Sequence, residues 1–241
     1  MDDKSATATA NLFQSISCNN KLIFHHIPKC GGSSLRETLR MALVCGGYDP
    51  NSVYVAGSGR TNLMSENELL SVKAQVDNSV AILSHIDAGL IKQISPGKII
   101  TCIRHPITRA ISAFNHFTLM KESECEDLVT LFKQNKGKFN SLFGCLYSRR
   151  GAYGLGACNY EYVLIYERLQ EDVHKMLAKL GLPNIPLPHI DPSPLASRNH
   201  KNRFCFDQSN PDHQEIWKYL ETKLEPDIQI YNQYLKAAES A

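Results

Sequence analysis

Short apolar segments that alternate with helical patterns constrain the fold of this chain more than any other feature. Residues 21–27, 79–83, 98–103 and 162–166 are apolar and rich in β-branched or aromatic residues, as buried strands are. Helical spacing follows the first, third and fourth of these segments. Strands that alternate with helices predict an α/β fold, a parallel β-sheet flanked by helices. Ligands of such sheets bind beyond the carboxyl ends of the strands.

The other segments complete this layout. Residues 1–20 are predicted to be a mobile polar arm, and residues 21–241 a single domain, because no shift in composition marks a boundary. An S-x-x-E capping box, Ser34 and Glu37, is predicted to begin the first helix. Helices are predicted at 33–44, 107–120, 124–134, after 166 to about 180, at 211–223 and at 226–238, and loops at 46–62 and 183–194.

Composition excludes several classes of protein. The chain has 241 residues, of which 43% are hydrophobic, and a net charge of +2. This small charge argues against a dedicated nucleic-acid binder and, less strongly, against a polyanionic polysaccharide as substrate. No window is apolar enough for a transmembrane helix, and the acidic N-terminus does not resemble a signal peptide. Eight cysteines without a CxxC pair indicate free thiols, so we expect a soluble, cytoplasmic protein.

A glycine loop follows the first predicted strand, with the sequence HIPKCGGSS at 26–34. Its two glycines allow the backbone to approach an anion, and the next helix offers unpaired N–H groups. Lys29 adds a positive charge, and Ser33 and Ser34 add hydroxyl donors. The pattern predicts a phosphate cradle, although the lysine precedes the glycines and the loop is therefore not a Walker A motif. An ordinary strand-to-helix turn with a capping serine is the alternative.

A second motif, CIRHPITRAIS at 102–112, follows the third predicted strand. Arg104 lies at the strand end, and Ser112 lies in the second turn of the following helix. A guanidinium and a hydroxyl so placed could bind a second phosphate, which suggests a nucleotide phosphorylated at two positions. A structural ion pair of Arg104 and a helix serine bonded to its own backbone are the alternatives.

Both motifs resemble those of a known family. FHHIPKCGGSSL resembles the 5′-phosphosulfate loop of sulfotransferases of the heparan sulfate 2-O-sulfotransferase type, and CIRHPITRAISAFNHF resembles their 3′-phosphate motif. YVLIYERL at 162–169 resembles a later family segment. The resemblance implies a P-loop-like sulfotransferase fold, in a soluble bacterial-type member. It also implies that 3′-phosphoadenosine 5′-phosphosulfate (PAPS) is the sulfuryl donor.

The resemblance also implies which residues bind the donor. The residues that would hold the 5′-phosphosulfate are Lys29, Cys30, Gly31, Gly32, Ser33 and Ser34. Arg104 and Ser112 would hold the 3′-phosphate, and Arg198 and Lys201 of a late basic loop would cover the nucleotide. Two residues depart from the family pattern: Cys30 replaces a threonine, and His105 replaces an aspartate that follows the arginine.

A histidine beyond the second predicted strand is the base in that family, and His85 occupies this place here. His85 would take the proton of the acceptor while Lys29 neutralises charge on the leaving oxygen. Asp87 is a candidate to orient the imidazole. No metal is expected, since no HExxH or paired metal spacing occurs.

The sequence therefore favours a PAPS-dependent sulfotransferase that acts on a hydroxyl or a nitrogen of a small-molecule acceptor. A carbohydrate acceptor is the alternative within this class. A nucleotide-dependent phosphotransferase and a non-catalytic nucleotide-binding protein are the alternatives outside it. The acceptor is expected to lie against the long loops at 46–62, 137–158 and 183–200, because such loops commonly carry specificity. No nucleic-acid or membrane partner is expected, and the sequence gives no oligomeric state.

Overall fold

The computed structural model of the protein describes most of the chain. The described residues are 16–55, 66–86, 90, 97–120, 127–149, 153–188 and 204–240. Three predicted site residues, Asp87, Arg198 and Lys201, lie outside them, as does most of the predicted mobile arm.

Five parallel strands form the sheet, in the order β2-β3-β1-β4-β5. The strands are β1 (Lys21–His25), β2 (Val53–Tyr54), β3 (Ala81–Ser84), β4 (Gly97–Ile103) and β5 (Tyr162–Ile165). The four predicted strands are confirmed. The structure adds β2, which lies inside the predicted loop at 46–62. Its two residues pair with β3. Two residues are too few to give a recognisable alternation, which is why the sequence did not reveal this strand.

Nine helices flank the sheet in the described part of the chain. They are α1 (Gly32–Cys45), α2 (Glu66–Ser71), α3 (Lys73–Asp77), α4 (Pro106–Met120), α5 (Leu128–Gln134), α6 (Lys136–Leu142), α7 (Leu169–Lys179), α8 (Pro211–Lys223) and α9 (Glu225–Glu239). None of these helices is long and apolar enough to cross a membrane.

The predicted capping box at the start of α1 is wrong. The residue before the helix is Gly31, in a left-handed conformation and with no side-chain hydrogen bond to the helix. Glu37 instead forms an ion pair with Arg40, at 2.6 Å between Oε1 and Nη2. A glycine begins this helix because the loop turns too sharply for a serine to take that position.

Apolar side chains cover both faces of the sheet, as the alternation of strands and helices predicted. Leu22 and Phe24 of β1 pack into one buried cluster, which includes Leu39 of α1. Ile23 and Ile82 point to the opposite face and pack into another cluster. A third cluster, rich in phenylalanine, joins α4, α5, α6 and α8. The predicted fold class is therefore confirmed.

The strand ends meet at one edge of the sheet. His25 at the end of β1 pairs with Ser84 of β3 and with Thr101 of β4. Ile103 at the end of β4 pairs with Ile165 at the end of β5. The residues that follow these strands, including the glycine loop, therefore emerge on the same side of the molecule.

Candidate active site at the carboxyl edge of the sheet

The loop after β1 adopts a conformation suited to an anion. Lys29 and Gly31 have positive φ values of 67° and 75°. Alternation of left-handed residues curls a loop so that its backbone N–H groups converge, and such concavities bind anions. The first helical hydrogen bond runs from the Leu35 N–H to the Gly31 carbonyl. Ser33 and Ser34 occupy the first turn of α1, where N–H groups have no acceptor within the helix.

Each glycine of the loop makes room for an aromatic ring. A Cβ on Gly31 would lie 2.8 Å from the Tyr166 ring, and a Cβ on Gly32 would lie 1.9 Å from the His26 ring. Tyr166 follows β5 and His26 follows β1. The two glycines thus allow the loop to pack directly on groups at two strand ends.

His26 holds His85 in place. The two imidazole rings stack with their centroids 3.8 Å apart, and His85 Nδ1 lies 2.7 Å from the His26 carbonyl oxygen. Because a carbonyl can only accept a hydrogen bond, Nδ1 carries the proton and Nε2 of neutral His85 keeps its lone pair. The His26 carbonyl therefore orients His85 through Nδ1, whereas Asp87, the predicted orienting residue, lies outside the described residues.

Electrostatics keep both histidines neutral. Burial lowers the pKa of His85; the hydrogen bond to His26 raises it by less than burial lowers it, and the positive charge of Arg36 adds a still smaller lowering. Burial, followed by His85 and Arg36, lowers the pKa of His26 well below its ordinary value. At neutral pH, His85 is thus an unprotonated imidazole that can accept a proton.

Arg104 follows β4 and lies against the loop. Its guanidinium carbon is 4.3 Å from the centre of the Tyr166 ring, and its Nε donates to Thr108 Oγ1 at 3.1 Å. Within the described ranges Arg104 forms no ion pair with a carboxylate, so the predicted alternative of a structural ion pair has no support there. Tyr166 contacts both Gly31 and Arg104, and it thereby brings the two predicted phosphate-binding motifs together.

His105 does not orient Arg104. Its ring packs parallel to Trp217 and edge-on to Tyr231. Its backbone N–H donates to Glu167 Oε1 at 3.1 Å, while Tyr231 donates to the other oxygen of Glu167. Tyr166 and Thr108 are therefore the side chains that contact the Arg104 guanidinium.

One face of α4 lies near the loop. Arg109, Ser112 and His116 are spaced three and four residues apart, which places them on the same side of the helix. Lys29 is close enough to His116 to lower its pKa, although burial lowers it more. Ser112 is partly buried, and the hydrogen bonds of the described residues include none from its hydroxyl to the helix backbone.

Arg109 is the residue of this face that sequence reasoning missed. Only 7% of it is exposed, and its buried Nε has no hydrogen-bond partner among the described residues. Its charge lowers the pKa of the neighbouring Cys30 thiol, which burial nevertheless raises to about 11. Because no carboxylate of the described residues pairs with it, this buried guanidinium adds to the positive potential of Lys29 and Arg104. Its helical spacing to Ser112 was the signal that could have identified it.

No metal centre is evident in the described ranges. They contain no group of three or more histidine, cysteine, aspartate or glutamate side chains that could hold a metal ion. The seven cysteines within these ranges are all free thiols, and Cys30, Cys102 and Cys158 are buried.

Comparison with known proteins places this geometry in context. A family model described as "Sulfotransferase family" matches residues 15–153, which include Lys29, His85, Arg104 and Ser112. Among solved structures, a sulfotransferase from Alicyclobacillus acidocaldarius is similar, with 18% sequence identity and a TM-score of 0.45. The similarity covers 87% of this chain and 96% of that chain. No curated protein matches the chain.

Proposed function

The chain belongs to the sulfotransferase family, and we propose that it transfers a sulfuryl group from PAPS to a hydroxyl or a nitrogen of a small-molecule acceptor. One observation carries this proposal. A positively charged glycine loop and a neutral histidine contact the same residue, His26, at the carboxyl edge of the sheet. An anionic donor and a proton acceptor are the two requirements of sulfuryl transfer to a hydroxyl.

The site suits a donor with two phosphate positions. The left-handed loop and the first turn of α1 would receive the 5′-phosphosulfate, with Lys29, Cys30, Gly31, Gly32, Ser33 and Ser34 as its contacts. Arg104 and Ser112 would receive the 3′-phosphate. The described ranges contain no carboxylate paired with Arg104 or Arg109, so a bound anion would neutralise these charges. Arg198 and Lys201 remain candidates to cover the nucleotide. When bound, PAPS supplies the sulfuryl group.

His85 acts as the general base. Its Nε2 accepts the proton of the acceptor hydroxyl as the acceptor oxygen forms a bond to sulfur. The His26 carbonyl holds Nδ1–H, which keeps the lone pair on Nε2 and the ring in one orientation. Burial beside positive charge lowers the pKa of His85, so this nitrogen is free to accept a proton at neutral pH.

Lys29 stabilises the leaving group. As the bond between sulfur and the bridging oxygen breaks, its electron pair passes to the 5′-phosphate oxygen. The ammonium of Lys29 and the N–H groups at the start of α1 would stabilise this negative charge when the 5′-phosphosulfate is held by the loop. The reaction yields a sulfated acceptor and adenosine 3′,5′-bisphosphate, and the proton leaves through His85.

The class of acceptor is proposed from the net charge of the chain and from the loops near the strand ends. A net charge of +2 offers little attraction for a polyanionic polysaccharide, which favours a small molecule. The motifs nevertheless resemble those of the heparan sulfate 2-O-sulfotransferase type, and a carbohydrate acceptor is therefore the comparison to include in a screen. Val55, Leu146 and Ile185 show that the predicted acceptor loops also contribute to the core, packing against the cluster on one face of the sheet.

Thermal unfolding with adenosine 3′,5′-bisphosphate tests the donor site. A ligand at a hundred times its Kd adds roughly 2.7 kcal/mol to the free energy of unfolding, a rise in Tm on the order of 5–10 °C for this size. We expect this rise with the bisphosphate and a smaller one with AMP. A rise with ATP alone would favour a phosphotransferase, and no rise with any ligand would refute the proposed donor site.

His85→Ala tests the base. We expect turnover of PAPS with an acceptor panel to fall at least roughly a hundredfold, because a positioned base contributes this much. The bisphosphate should still raise Tm. His174→Ala, which removes a partly exposed histidine of α7, is the matched control and should keep normal turnover. Near-normal turnover of His85→Ala would remove His85 from this role.

A further inference from the structure

A buried tyrosine, Tyr147, contacts both predicted phosphate-binding motifs. Tyr147 is only 1% exposed, and its hydroxyl contacts both motifs. It donates to the Arg104 carbonyl at 2.7 Å and accepts the Arg104 N–H at 3.0 Å. The same oxygen lies 3.5 Å from Cys30 Sγ in the glycine loop. One hydroxyl therefore contacts residues 74 positions apart in the sequence, from Cys30 to Arg104.

The protons of this contact can be assigned. The phenol has one proton, and the Arg104 carbonyl can only accept, so the phenol proton lies toward Arg104. The Cys30 thiol is then left as a donor, with the Tyr147 oxygen at 3.5 Å and the Pro28 carbonyl at 3.6 Å as its two acceptors. Burial raises the pKa of Cys30 to about 11 and raises that of Tyr147 well above its ordinary value, so both groups stay protonated.

Asp227 fixes the segment that carries Tyr147. This residue is completely buried in the first turn of α9, and its carboxylate accepts three consecutive backbone N–H groups, those of residues 146–148. Charge-assisted bonds of this kind are stronger than neutral ones. Asp227 of α9 thus holds the backbone of Tyr147, and Arg104 holds its hydroxyl.

We propose that Tyr147 is a positioning residue that sets the separation between the glycine loop and Arg104, and thereby selects a nucleotide that carries both phosphates. This inference rests on the proposed function, because it assigns the 5′-phosphosulfate to the loop and the 3′-phosphate to Arg104. A nucleotide with one phosphate needs only one of the two motifs. A nucleotide with two phosphates gains fully from both only when their separation is already set.

Tyr147→Phe tests this role with three ligands. The variant keeps the ring and removes the hydroxyl, so Arg104 and Cys30 lose their common partner. We expect the Kd of adenosine 3′,5′-bisphosphate to rise about tenfold, the usual scale of a buried hydrogen-bond contact. The Kd values of adenosine 5′-monophosphate and adenosine 3′-monophosphate should each change by less than about twofold, since neither ligand bridges the motifs.

Tyr219→Phe is the matched control. It also removes a tyrosine hydroxyl, which donates to Asn140 Oδ1 in the phenylalanine-rich cluster. We expect no change in any of the three Kd values. Cys30→Ala is a second variant, which removes the thiol contacts with Tyr147 and Pro28 but keeps the backbone of the loop, and it should weaken the bisphosphate selectively, but less than Tyr147→Phe. It keeps the inference testable if Tyr147→Phe does not fold.

The outcomes separate this inference from the proposed function. If the wild-type protein does not prefer the bisphosphate to the monophosphates, the proposed donor site is wrong. If the wild-type protein does prefer it and Tyr147→Phe keeps the same preference, only the positioning role is refuted. A uniform loss of affinity for all three ligands would also refute that role, because it would indicate general structural damage.

Discussion

The glycine loop and the segment around Tyr147 both position backbone at the site, but they do so by opposite means. The loop at 28–32 depends on missing side chains, because Gly31 and Gly32 leave room for the rings of Tyr166 and His26. The position of the segment at 146–148 depends on a polar side chain, because the Asp227 carboxylate accepts hydrogen bonds from three of its N–H groups. The first arrangement is therefore sensitive to added atoms, and the second to lost hydrogen bonds.

The two regions also differ in how far apart their partners lie in the sequence. One partner of the loop is local, because Gly32 packs on His26 six residues earlier, whereas Gly31 packs on Tyr166, 135 residues later. Tyr147 is held by an aspartate 80 residues later and contacts an arginine 43 residues earlier. A local arrangement leaves a recognisable motif, whereas a long-range one leaves isolated residues. Substitutions in the two regions test this distinction through their effects on turnover and on the free energy of unfolding.

Gly32→Ala should have the largest effect. The new Cβ would lie 1.9 Å from the His26 ring, which therefore has to move, and His85 stacks on that ring. We expect turnover to fall at least roughly a hundredfold, since a misplacement of about 1 Å costs this much. We also expect a loss of roughly 2 kcal/mol from the free energy of unfolding, typical of overpacking.

Gly156→Ala is the matched control for this substitution. A Cβ at Gly156 meets no heavy atom within 4 Å, so turnover and stability should stay close to those of the parent protein. Turnover and urea unfolding should be measured on both variants. Wild-type turnover in Gly32→Ala would show that the ring contact does not place His85.

Asp227→Asn should have the next largest effect, on stability. An amide replaces one acceptor oxygen by a donor, so the buried N–H groups of residues 146–148 lose part of their partner. We expect the free energy of unfolding to fall by about 2 kcal/mol and Tm by roughly 4–8 °C. Turnover should fall less than in Gly32→Ala, because His26 and His85 are untouched.

Asp127→Asn is its control. Asp127 is an exposed cap that accepts the N–H groups of Val129 and Thr130. Asparagine caps helices about as well as aspartate, so the free energy of unfolding should change by less than about 0.5 kcal/mol. Equal losses in the two variants would mean that burial of Asp227 adds nothing to the strength of its contacts.

These differences also explain what the sequence could predict. The four longer strands and the loop at 26–34 follow from local spacing, and the structure places His85 and Arg104 at the same edge of the sheet. The pattern of Ser34 and Glu37 predicted a capping box, but the left-handed turn at Gly31 makes α1 begin at Gly32, two residues before Ser34. The contact of Tyr147 with Arg104 could not be predicted, because only the folded chain brings their segments together.

The smallest expected effect concerns pH, and it belongs to the loop region. Burial lowers the pKa of His26 in the folded protein well below 6.5, the ordinary value that it has in the unfolded chain. At a pH between the folded and the unfolded pKa, the unfolded chain therefore binds a proton that the folded protein does not. The free energy of unfolding should therefore fall as the pH drops below 6.5, by at most about 1.4 kcal/mol per pH unit for one such histidine.

In His26→Phe, whose ring can still pack beside Phe24 and His85, the loss between pH 6.5 and 5.5 should be about 1 kcal/mol smaller. Urea unfolding at both pH values measures this difference, and His174→Phe should keep the loss of the parent protein. An unchanged loss in His26→Phe would show that the acid sensitivity arises elsewhere, and the loop region would then be distinguished by its packing alone.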